Sequence, residues 1–387
     1  MARGTWLRVA AIAAIAASVA ACTARDVEVA PEATSEPTET VTLPPFVSTP
    51  FTTAGEGAGD GIYVNLLRFI PDRPDTRHGE IGLGNTDAAE AAAGRAFPIV
   101  TRPPFPWEEY EVYLDELPQG TEPVFMVHTG RTLGRPYAEL AMDAFGVGPS
   151  HVDQWVFVHP VNFSQHFYVA LGPFDQRSIL SSLAWCGECP PADVKETLGG
   201  WEIRGWGEDS TALNGRLRLQ PPLYDDLGRG GRFAFRNGAL VRTILTDDLR
   251  QVIQAEARDI RSLADVPEWR ALAERLDAIG AFVAQAAPNF GSAEPYLLHA
   301  RVVAPDPGDG LPPFSEFLLF GSEELARESA QRIREREAAK HTEPLLWDFN
   351  VSVDGPFVVM RYTVPANPAH ARQQREFMYD LFLDAWP

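Results

Sequence analysis

The stretch RFAFRNGALVRTIL, residues 232–245, decides the fold class because it has the pattern of a β-hairpin. Asn237-Gly238 separates two segments rich in apolar residues, and Asn-Gly is the strongest short signal for a two-residue hairpin turn. A second stretch of this kind lies near the C-terminus, where Asp354-Gly355 separates the predicted strands 346–353 and 357–364. The chain is therefore expected to contain antiparallel sheet in two separate places.

The elements before each hairpin also occur in the same order. The first half has two predicted strands and a helix capped by Asp175, at 152–159, 166–171 and 175–183. The second half repeats this order, with Ser322 as the cap, at 296–303, 316–320 and 322–340. GPFD at 172–175 and GSEE at 321–324 are matching landmarks, and each half ends in a predicted helix. This order predicts an α+β fold made of duplicated ββαββα, ferredoxin-like units, with helices on one face of mostly antiparallel sheets.

The segment before the first repeat, residues 62–150, is predicted to be mostly helical. Its helices are expected at 62–70, 86–94, from Pro106 and at 135–145, and a short strand is expected at 123–128. A loop is expected where Pro, Gly and charged residues are frequent, at 70–84. Elsewhere the patterns predict a strand at 201–206 and helices at 247–257, 267–284 and before Trp386. The predicted regions are thus 62–150, a first α+β repeat at 151–290 and a second at 291–387.

The N-terminal residues MARGTWLRVAAIAAIAASVAAC have the features of a signal peptide. Arg3 and Arg8 form a basic start, and the apolar run 9–21 is too short to span a bilayer. Its end, Val19-Ala20-Ala21-Cys22, resembles the lipobox of bacterial lipoproteins. That resemblance implies cleavage after residue 21, acylation of Cys22 and anchoring at the extracytoplasmic face of the cell membrane. The alternative is an ordinary secretory signal with an incidental cysteine.

Residues 22–61 are predicted to be a disordered tether that begins at the lipidated cysteine. They are rich in Pro, Thr, Glu, Ala and Gly, and they contain too few apolar residues to build a core. The whole chain of 387 residues carries a formal net charge of −20. Such acidity disfavours a nucleic-acid partner. The expected partners are the membrane, through the lipid anchor, and an unknown ligand or envelope protein.

The remaining cysteines, Cys186 and Cys189, lie in LAWCGECPP at 183–191. Trp-Cys-Gly-x-Cys is similar to the signature of thioredoxin-like oxidoreductases, which implies that Cys186 attacks and Cys189 resolves the mixed disulfide. The context favours a structural disulfide instead. The preceding helix is predicted to end at the motif, where its dipole raises a thiol pKa, and two prolines follow. Oxidoreductase activity remains the alternative function.

No other motif for catalysis or metal binding is present. The histidines form no HExxH or HxH pair, and there is no GxSxG nucleophile elbow. His159 and His166 flank a predicted turn and are expected to be turn or surface residues. Four tryptophans of the first repeat are expected in the core: Trp155, Trp185, Trp201 and Trp206. The sequence predicts no metal and no cofactor, and it favours a non-catalytic binding protein over an enzyme, although a Ser-His-Asp site built from distant residues stays open.

Residues 150–387 also resemble uncharacterised exported lipoproteins of bacteria. The similarity consists of a G-x-F-D turn, here Gly172 to Asp175, and a SLAD-x-P-x-[YW] segment, here Ser262 to Trp269. It implies an exported α+β domain, and it implies no activity.

Overall fold

The computed structural model describes most of the chain after the predicted tether. The described residues are 60–101, 104–118, 121, 141–159, 166–185, 191–207, 209, 231–289, 292, 294–305, 314–340 and 348–363. All of them belong to one compact unit that spans residues 51–387. Among these residues, no helix combines the length and the apolar character needed to cross a bilayer.

Most of the described helices and strands are short. The helices are α1 (Ile62–Leu67), α2 (Pro74–Arg77), α3 (Thr86–Ala93), α4 (Trp107–Glu116), α5 (Gln176–Trp185), α6 (Thr246–Glu256), α7 (Pro267–Ala278) and α8 (Glu323–Lys340). The strands are β1 (Glu80–Asn85), β2 (Gln154–His159), β3 (Phe167–Leu171), β4 (Val194–Leu198), β5 (Trp201–Gly205), β6 (Arg232–Arg236), β7 (Ala239–Thr243), β8 (Val283–Pro288), β9 (Leu298–Val303), β10 (Phe314–Leu319), β11 (Asp348–Asp354) and β12 (Phe357–Thr363). The α+β class predicted from the sequence is confirmed.

The strands form one sheet in the order β11-β12-β10-β9-β8-β1-β2-β3-β7-β6-β5-β4. Every described pairing in it is antiparallel. β1 and β8 pair at the centre of the sheet. On one side β1, β2 and β3 form a meander, and β7 of the hairpin β6–β7 lies next to β3. On the other side β8, β9 and β10 form a meander, and β12 of the hairpin β11–β12 lies next to β10. β5 and β4 extend one side further.

Helices cover both faces of the sheet, so the prediction of helices on one face is wrong. Alternate residues of a strand point to opposite faces, and β2 shows both environments. Val156 and Val158 pack in a core with α1, α6 and α7. Trp155 and Phe157 pack in a second core with residues of α4 and the helical segment 141–145. α8 covers β10 to β12 through a third, smaller core.

The predicted hairpins are confirmed, with one shift in a turn. Arg236 pairs with Ala239, so Asn237-Gly238 forms the turn, and Gly238 has a φ of +83° that favours glycine. In the second hairpin Asp354 pairs with Phe357, so the turn is Gly355-Pro356 rather than Asp354-Gly355. The local signals located both hairpins because a two-residue turn depends on few neighbours.

The loop predicted over 70–84 contains strand β1, which lies at the centre of the sheet. The strand was missed because it contains two internal glycines, and glycine is infrequent in strands. The structure shows why glycine is needed at both positions. A Cβ at Gly82 would lie 3.1 Å from the Trp155 ring, and a Cβ at Gly84 would overlap the indole. The side chain of Trp155 therefore lies across β1 where a side chain would otherwise stand.

Three smaller predictions are also corrected. The helix expected over 267–284 ends at Ala278, because Gly280 turns the chain with a φ of +62° into β8. β4, an edge strand, was not predicted. The cap residue of α6 is Leu245, and Asp247 lies in the first turn. The predicted strand 123–128, residues 135–140, the C-terminal helix, the signal peptide and residues 22–59 of the tether lie outside the described residues.

Candidate ligand-binding cavity

A cavity of about 170 Å³ lies beside the centre of the sheet. We call it the acidic cavity. It is lined by Thr86, Glu90, Phe97, Ile99, Tyr110, Tyr113, Pro149, Ser150, Val152 and Asp153. One water accounts for about 30 Å³ of liquid, whereas pockets for drug-sized ligands measure about 300–1,000 Å³. The acidic cavity therefore suits a small molecule or one group of a larger one.

The pairing of β1 with β2 places two walls of the cavity side by side. Asn85, the last residue of β1, pairs with Gln154, the first of β2. Asn85 also caps α3, since its side chain accepts a hydrogen bond from the amide of Ala88 at 3.2 Å. The amide of Thr86 donates to the carbonyl of Asp153 at 2.7 Å. The start of α3 and the residue before β2 are thus held together.

An aromatic wall forms the side of the cavity nearest α4. Tyr110 and Tyr113 are stacked with ring centroids 5.5 Å apart. Phe97 meets the edge of Tyr110 at 4.9 Å and lies 5.2 Å from Tyr113. Tyr110 and Tyr113 follow the i, i+3 spacing of one helix face. The segment 97–100 is tied down further by the amide of Val100, which donates to the hydroxyl of Ser150 at 3.1 Å.

Glu90 is fixed in the wall by two donors. The hydroxyl of Tyr113 donates to its Oε1 at 2.6 Å, and the amide of Phe97 donates to the same oxygen at 3.2 Å. Burial and the neighbouring Glu90 raise the pKa of Tyr113 well above its ordinary value, so this phenol keeps its proton and acts as a donor.

Asp153 is the second carboxyl group of the lining. Desolvation, with the nearby charges of Asp87 and Glu90, raises its pKa to about 7. Asp87, at the exposed start of α3, also has a raised pKa, caused by desolvation and by Glu90. Among the described residues, no arginine, lysine or histidine forms an ion pair with any of these three carboxyl groups. The cavity thus gathers negative charge without a described counter-ion.

Thr86 contributes a buried hydroxyl. Its side chain is only 4% exposed, and its Oγ1 has no hydrogen-bond partner within the described part of the chain. Buried polar groups are almost always hydrogen-bonded. An orphaned hydroxyl in the lining of a cavity is therefore a place where a ligand atom would be accommodated.

The predicted site residues lie elsewhere. Cys22, Cys186 and Cys189 are outside the described residues. α5 is described to Trp185, the residue before Cys186, which confirms that a helix precedes the motif. No cluster of three or more His, Cys, Asp or Glu side chains in the described ranges could hold a metal ion.

The histidines and tryptophans give mixed outcomes. His159 and His166 have ring centroids 6.1 Å apart, and burial lowers the pKa of His159 to about 4. His166 is buried, so the surface interpretation is wrong for it. Trp155, Trp201 and Trp206 are core residues as predicted, but Trp185 is 86% exposed.

Sequence reasoning missed the acidic cavity. Its carboxyl groups come from α3 and from the residue before β2, and no spacing along the chain connects them. The available signal was PWEEYEVYLDEL at 106–117, where two tyrosines share a helix face with a tryptophan at its start. That pattern predicts a buried aromatic face, and it does not indicate which carboxyl groups lie opposite.

Comparison with known proteins adds one distant similarity. No family model matches the chain, and no curated protein matches it. A solved structure, crystal form III of TP0453, is similar over 80% of this chain and 94% of that chain, at 6% identity and a TM-score of 0.33. A similarity at this level carries no inference about fold or function.

Proposed function

We propose that this protein is a lipid-anchored, extracytoplasmic protein of the bacterial cell membrane that binds a small ligand in the acidic cavity without catalysis. The observation that carries the binding proposal is the cavity itself. It combines an orphaned hydroxyl on Thr86 with two carboxyl groups, Glu90 and Asp153, that no described cation neutralises. Unsatisfied polar groups in a concave, partly apolar site are the usual features of a ligand site.

The anchor and the tether support the cellular location. A lipobox-like sequence ending at Cys22 and a following Pro- and Thr-rich segment are the features of a lipoprotein held off the membrane. A single acyl chain binds a membrane only marginally, so stable anchoring needs more than one chain. We expect palmitate labelling of the wild-type protein and no labelling of Cys22→Ala. Labelling of the alanine variant would refute the anchor.

The strand order supports a duplication of the ββαββα unit. On both sides of β1 and β8, a meander is followed by a helix and then by a hairpin, and in the first half β4 and β5 are inserted between the helix and the hairpin. The turn landmarks also make comparable contacts. The amide of Gly172 donates to the carbonyl of Gly238 at 3.1 Å, and the amide of Phe320 donates to the carbonyl of Pro356 at 2.9 Å. Each contact joins the end of the meander to the hairpin turn.

A structural disulfide between Cys186 and Cys189 is part of the proposal. The described part of α5 runs to Trp185, so a helix precedes Cys186, as the structural interpretation expects. A helix dipole lowers a thiol pKa at the N-terminus and raises it at the C-terminus. This position supports the structural role and gives no support to the alternative, a thiol–disulfide oxidoreductase.

The binding function is tested by blocking the cavity. Ile99 lines the acidic cavity and is 46% exposed, so Ile99→Trp should occupy part of the cavity without disturbing a core. Val112 is 60% exposed on α4 and does not line the cavity, so Val112→Trp is the matched control. The readout is the melting temperature of each purified full-length protein with fractions of small molecules from the cell envelope and the growth medium.

A ligand at 100 times its Kd stabilises a protein by about 2.7 kcal/mol. We expect one fraction to raise the melting temperature of the wild-type protein and of Val112→Trp, with little effect on Ile99→Trp. Equal stabilisation of all three proteins would place binding elsewhere. Absence of any stabilising fraction would refute the binding function.

A further inference from the structure

We propose that the ligand of the acidic cavity is a small organic cation, with a substituted ammonium group placed between Glu90 and Asp153 and against the aromatic wall. This proposal rests on the proposed binding function and adds the chemical class of the ligand. Three observations support it: uncompensated charge, the stacked aromatic rings, and the orphaned hydroxyl.

The charge argument concerns Glu90, Asp153 and the neighbouring Asp87. Burial and the charges of Asp87 and Glu90 raise the pKa of Asp153, and no described basic side chain pairs with any of the three carboxyl groups. The nearest described arginine along the chain, Arg95, is paired with Glu116 at 2.8 Å. A bound cation would offset this repulsion. A neutral sugar would leave it in place, and an anion would increase it.

The aromatic wall explains why the cation should be organic. Besides its carboxyl and hydroxyl groups, the cavity is lined by the rings of Phe97, Tyr110 and Tyr113, which pack on one another. A bare metal ion requires several oxygen or nitrogen atoms at about 2.0–2.6 Å, and no described cluster of three or more His, Cys, Asp or Glu side chains could hold one. Substituted ammonium groups are bound by aromatic rings through cation–π attraction. The volume of about 170 Å³ also exceeds the space of one ion. Carboxyl groups together with aromatic rings are therefore matched to an alkylammonium group.

The hydroxyl of Thr86 defines a second contact. It lies at the start of α3, beside Asp153, and it can donate to or accept from one polar group of the ligand. A ligand that carries an ammonium group and a hydroxyl or amine a few atoms away would satisfy both ends. Choline has this arrangement and serves as the probe.

The test compares choline with 3,3-dimethylbutan-1-ol, which has the same shape with carbon in place of the charged nitrogen. Binding of both probes, and of glucose, is measured by calorimetry on the full-length protein. We expect choline to bind about 30-fold more tightly than its neutral analogue, as one desolvated cation–π contact of about 2 kcal/mol would give. Glu90→Gln should weaken choline binding to the level of the neutral probe. Glu109→Gln, an equal charge change at an exposed position of α4, should leave it unchanged.

Two conservative variants separate a loss of binding from a loss of folding. Gln at position 90 keeps an oxygen that can accept from Tyr113, and Asp153→Asn removes the second charge independently. Each variant is checked by its melting temperature. Loss of choline binding in both folded variants supports the proposal. Unchanged binding in both would overturn it.

The remaining outcomes separate this proposal from the binding function. Equal affinity for choline and its neutral analogue, or tighter binding of glucose, would overturn the cationic class while leaving a binding cavity. In another outcome, choline does not bind while a fraction stabilises the wild type and not Ile99→Trp. That outcome too would overturn the cationic class and leave a binding cavity. Dihexanoylphosphatidylcholine distinguishes the source of the cation: tighter binding than choline indicates a lipid headgroup, and weaker binding indicates a free amine.

Discussion

The hydroxyl of Tyr113 donates a 2.6 Å hydrogen bond to Oε1 of Glu90, and this bond connects α4 to α3 across the wall of the acidic cavity. The two residues are 23 positions apart in the sequence. Hydrogen bonds to charged groups contribute more to stability than neutral ones, at about 1.5–3 kcal/mol. The same bond therefore joins two helices of the fold and fixes the position of Glu90 in the cavity wall.

Tyr113→Phe should lower the free energy of unfolding by about 1.5–3 kcal/mol, because Glu90 then keeps only the amide of Phe97 as a donor. The measurement is urea denaturation followed by fluorescence. Tyr296→Phe is the matched control, since the hydroxyl of Tyr296 makes no hydrogen bond to a described residue. Equal stability of the two variants would contradict the contribution of this bond.

The stability of the protein should depend on pH through Asp153. Its folded pKa of about 7 lies above the ordinary value of 3.8, so the folded state holds the proton over a pH range in which the unfolded state has lost it. The stability is therefore unaffected by this group below about pH 4 and falls as the pH rises toward 7. Asp153→Asn removes the effect, because its side chain is neutral throughout.

This difference is read from thermal unfolding between pH 4 and pH 8. We expect Asp153→Asn and the wild type to have similar stability near pH 4 and the variant to become the more stable one near pH 8. Asp259→Asn, at an exposed position, should follow the wild-type curve. A constant difference across the range would show that Asp153 titrates normally.

Gly84→Ala should destabilise the protein by about 1–3 kcal/mol, because its Cβ would overlap the indole of Trp155 in a packed sheet. Gly321→Ala is the control, since a Cβ there meets nothing within 4 Å, and its effect should stay within about 0.5 kcal/mol. Denaturant midpoints measure both. Gly84→Ala should cost less stability in a protein that already carries Trp155→Leu than it does in the wild type, because the indole is then absent. An equal cost of Gly84→Ala in both backgrounds would indicate that the added methyl group clashes with the backbone instead.

Arg232 should be among the residues most sensitive to substitution. It is 2% exposed, and it donates to Thr246 Oγ1 at 2.9 Å, to the carbonyl of Trp206 at 2.7 Å and to Asp209 at 2.6 Å. Its removal would leave the hydroxyl of Thr246 and the carbonyl of Trp206 without this donor, and each buried polar group left unsatisfied costs about 1–3 kcal/mol. Arg232→Ala should therefore lower the free energy of unfolding by about 2–5 kcal/mol in denaturant unfolding.

An exposed arginine provides the contrast. Arg327 pairs with Glu323 on the surface of α8, and such pairs contribute about 0.3–0.5 kcal/mol. Arg327→Ala should therefore change the unfolding midpoint very little. A similar cost for both arginines would show that the Arg232 network is not maintained in solution.

The Cys186–Cys189 pair should have a reduction potential below about −300 mV, as structural disulfides do, whereas oxidoreductases lie between about −120 and −270 mV. Equilibration in dithiothreitol buffers with thiol alkylation and intact mass measures it. A potential in the upper range, with fast alkylation of Cys186, would favour the oxidoreductase.

The local features of the fold were predictable because each depends on a few neighbouring residues. Asn237-Gly238 predicted a turn that the structure has, and Asp175 predicted a cap that it makes, since its carboxylate accepts from the amide of Ser178 at 3.0 Å. The same Asn-Gly signal predicted paired strands at 232–236 and 239–245, and the structure has them at Arg232–Arg236 and Ala239–Thr243. These signals also established the α+β class.

The sequence by itself thus determined the positions of both hairpins, the helix caps Asp175 and Ser322 and the α+β class, and it predicted the lipidated Cys22 with its tether. Only the tertiary structure decided that β1 is a central strand, because its glycines are explained by Trp155, a residue of the neighbouring strand. Only the tertiary structure brought Glu90 and Asp153 together, because their proximity results from the pairing of β1 with β2. Long-range strand pairing leaves no fixed spacing along the chain, so the acidic cavity has no sequence motif.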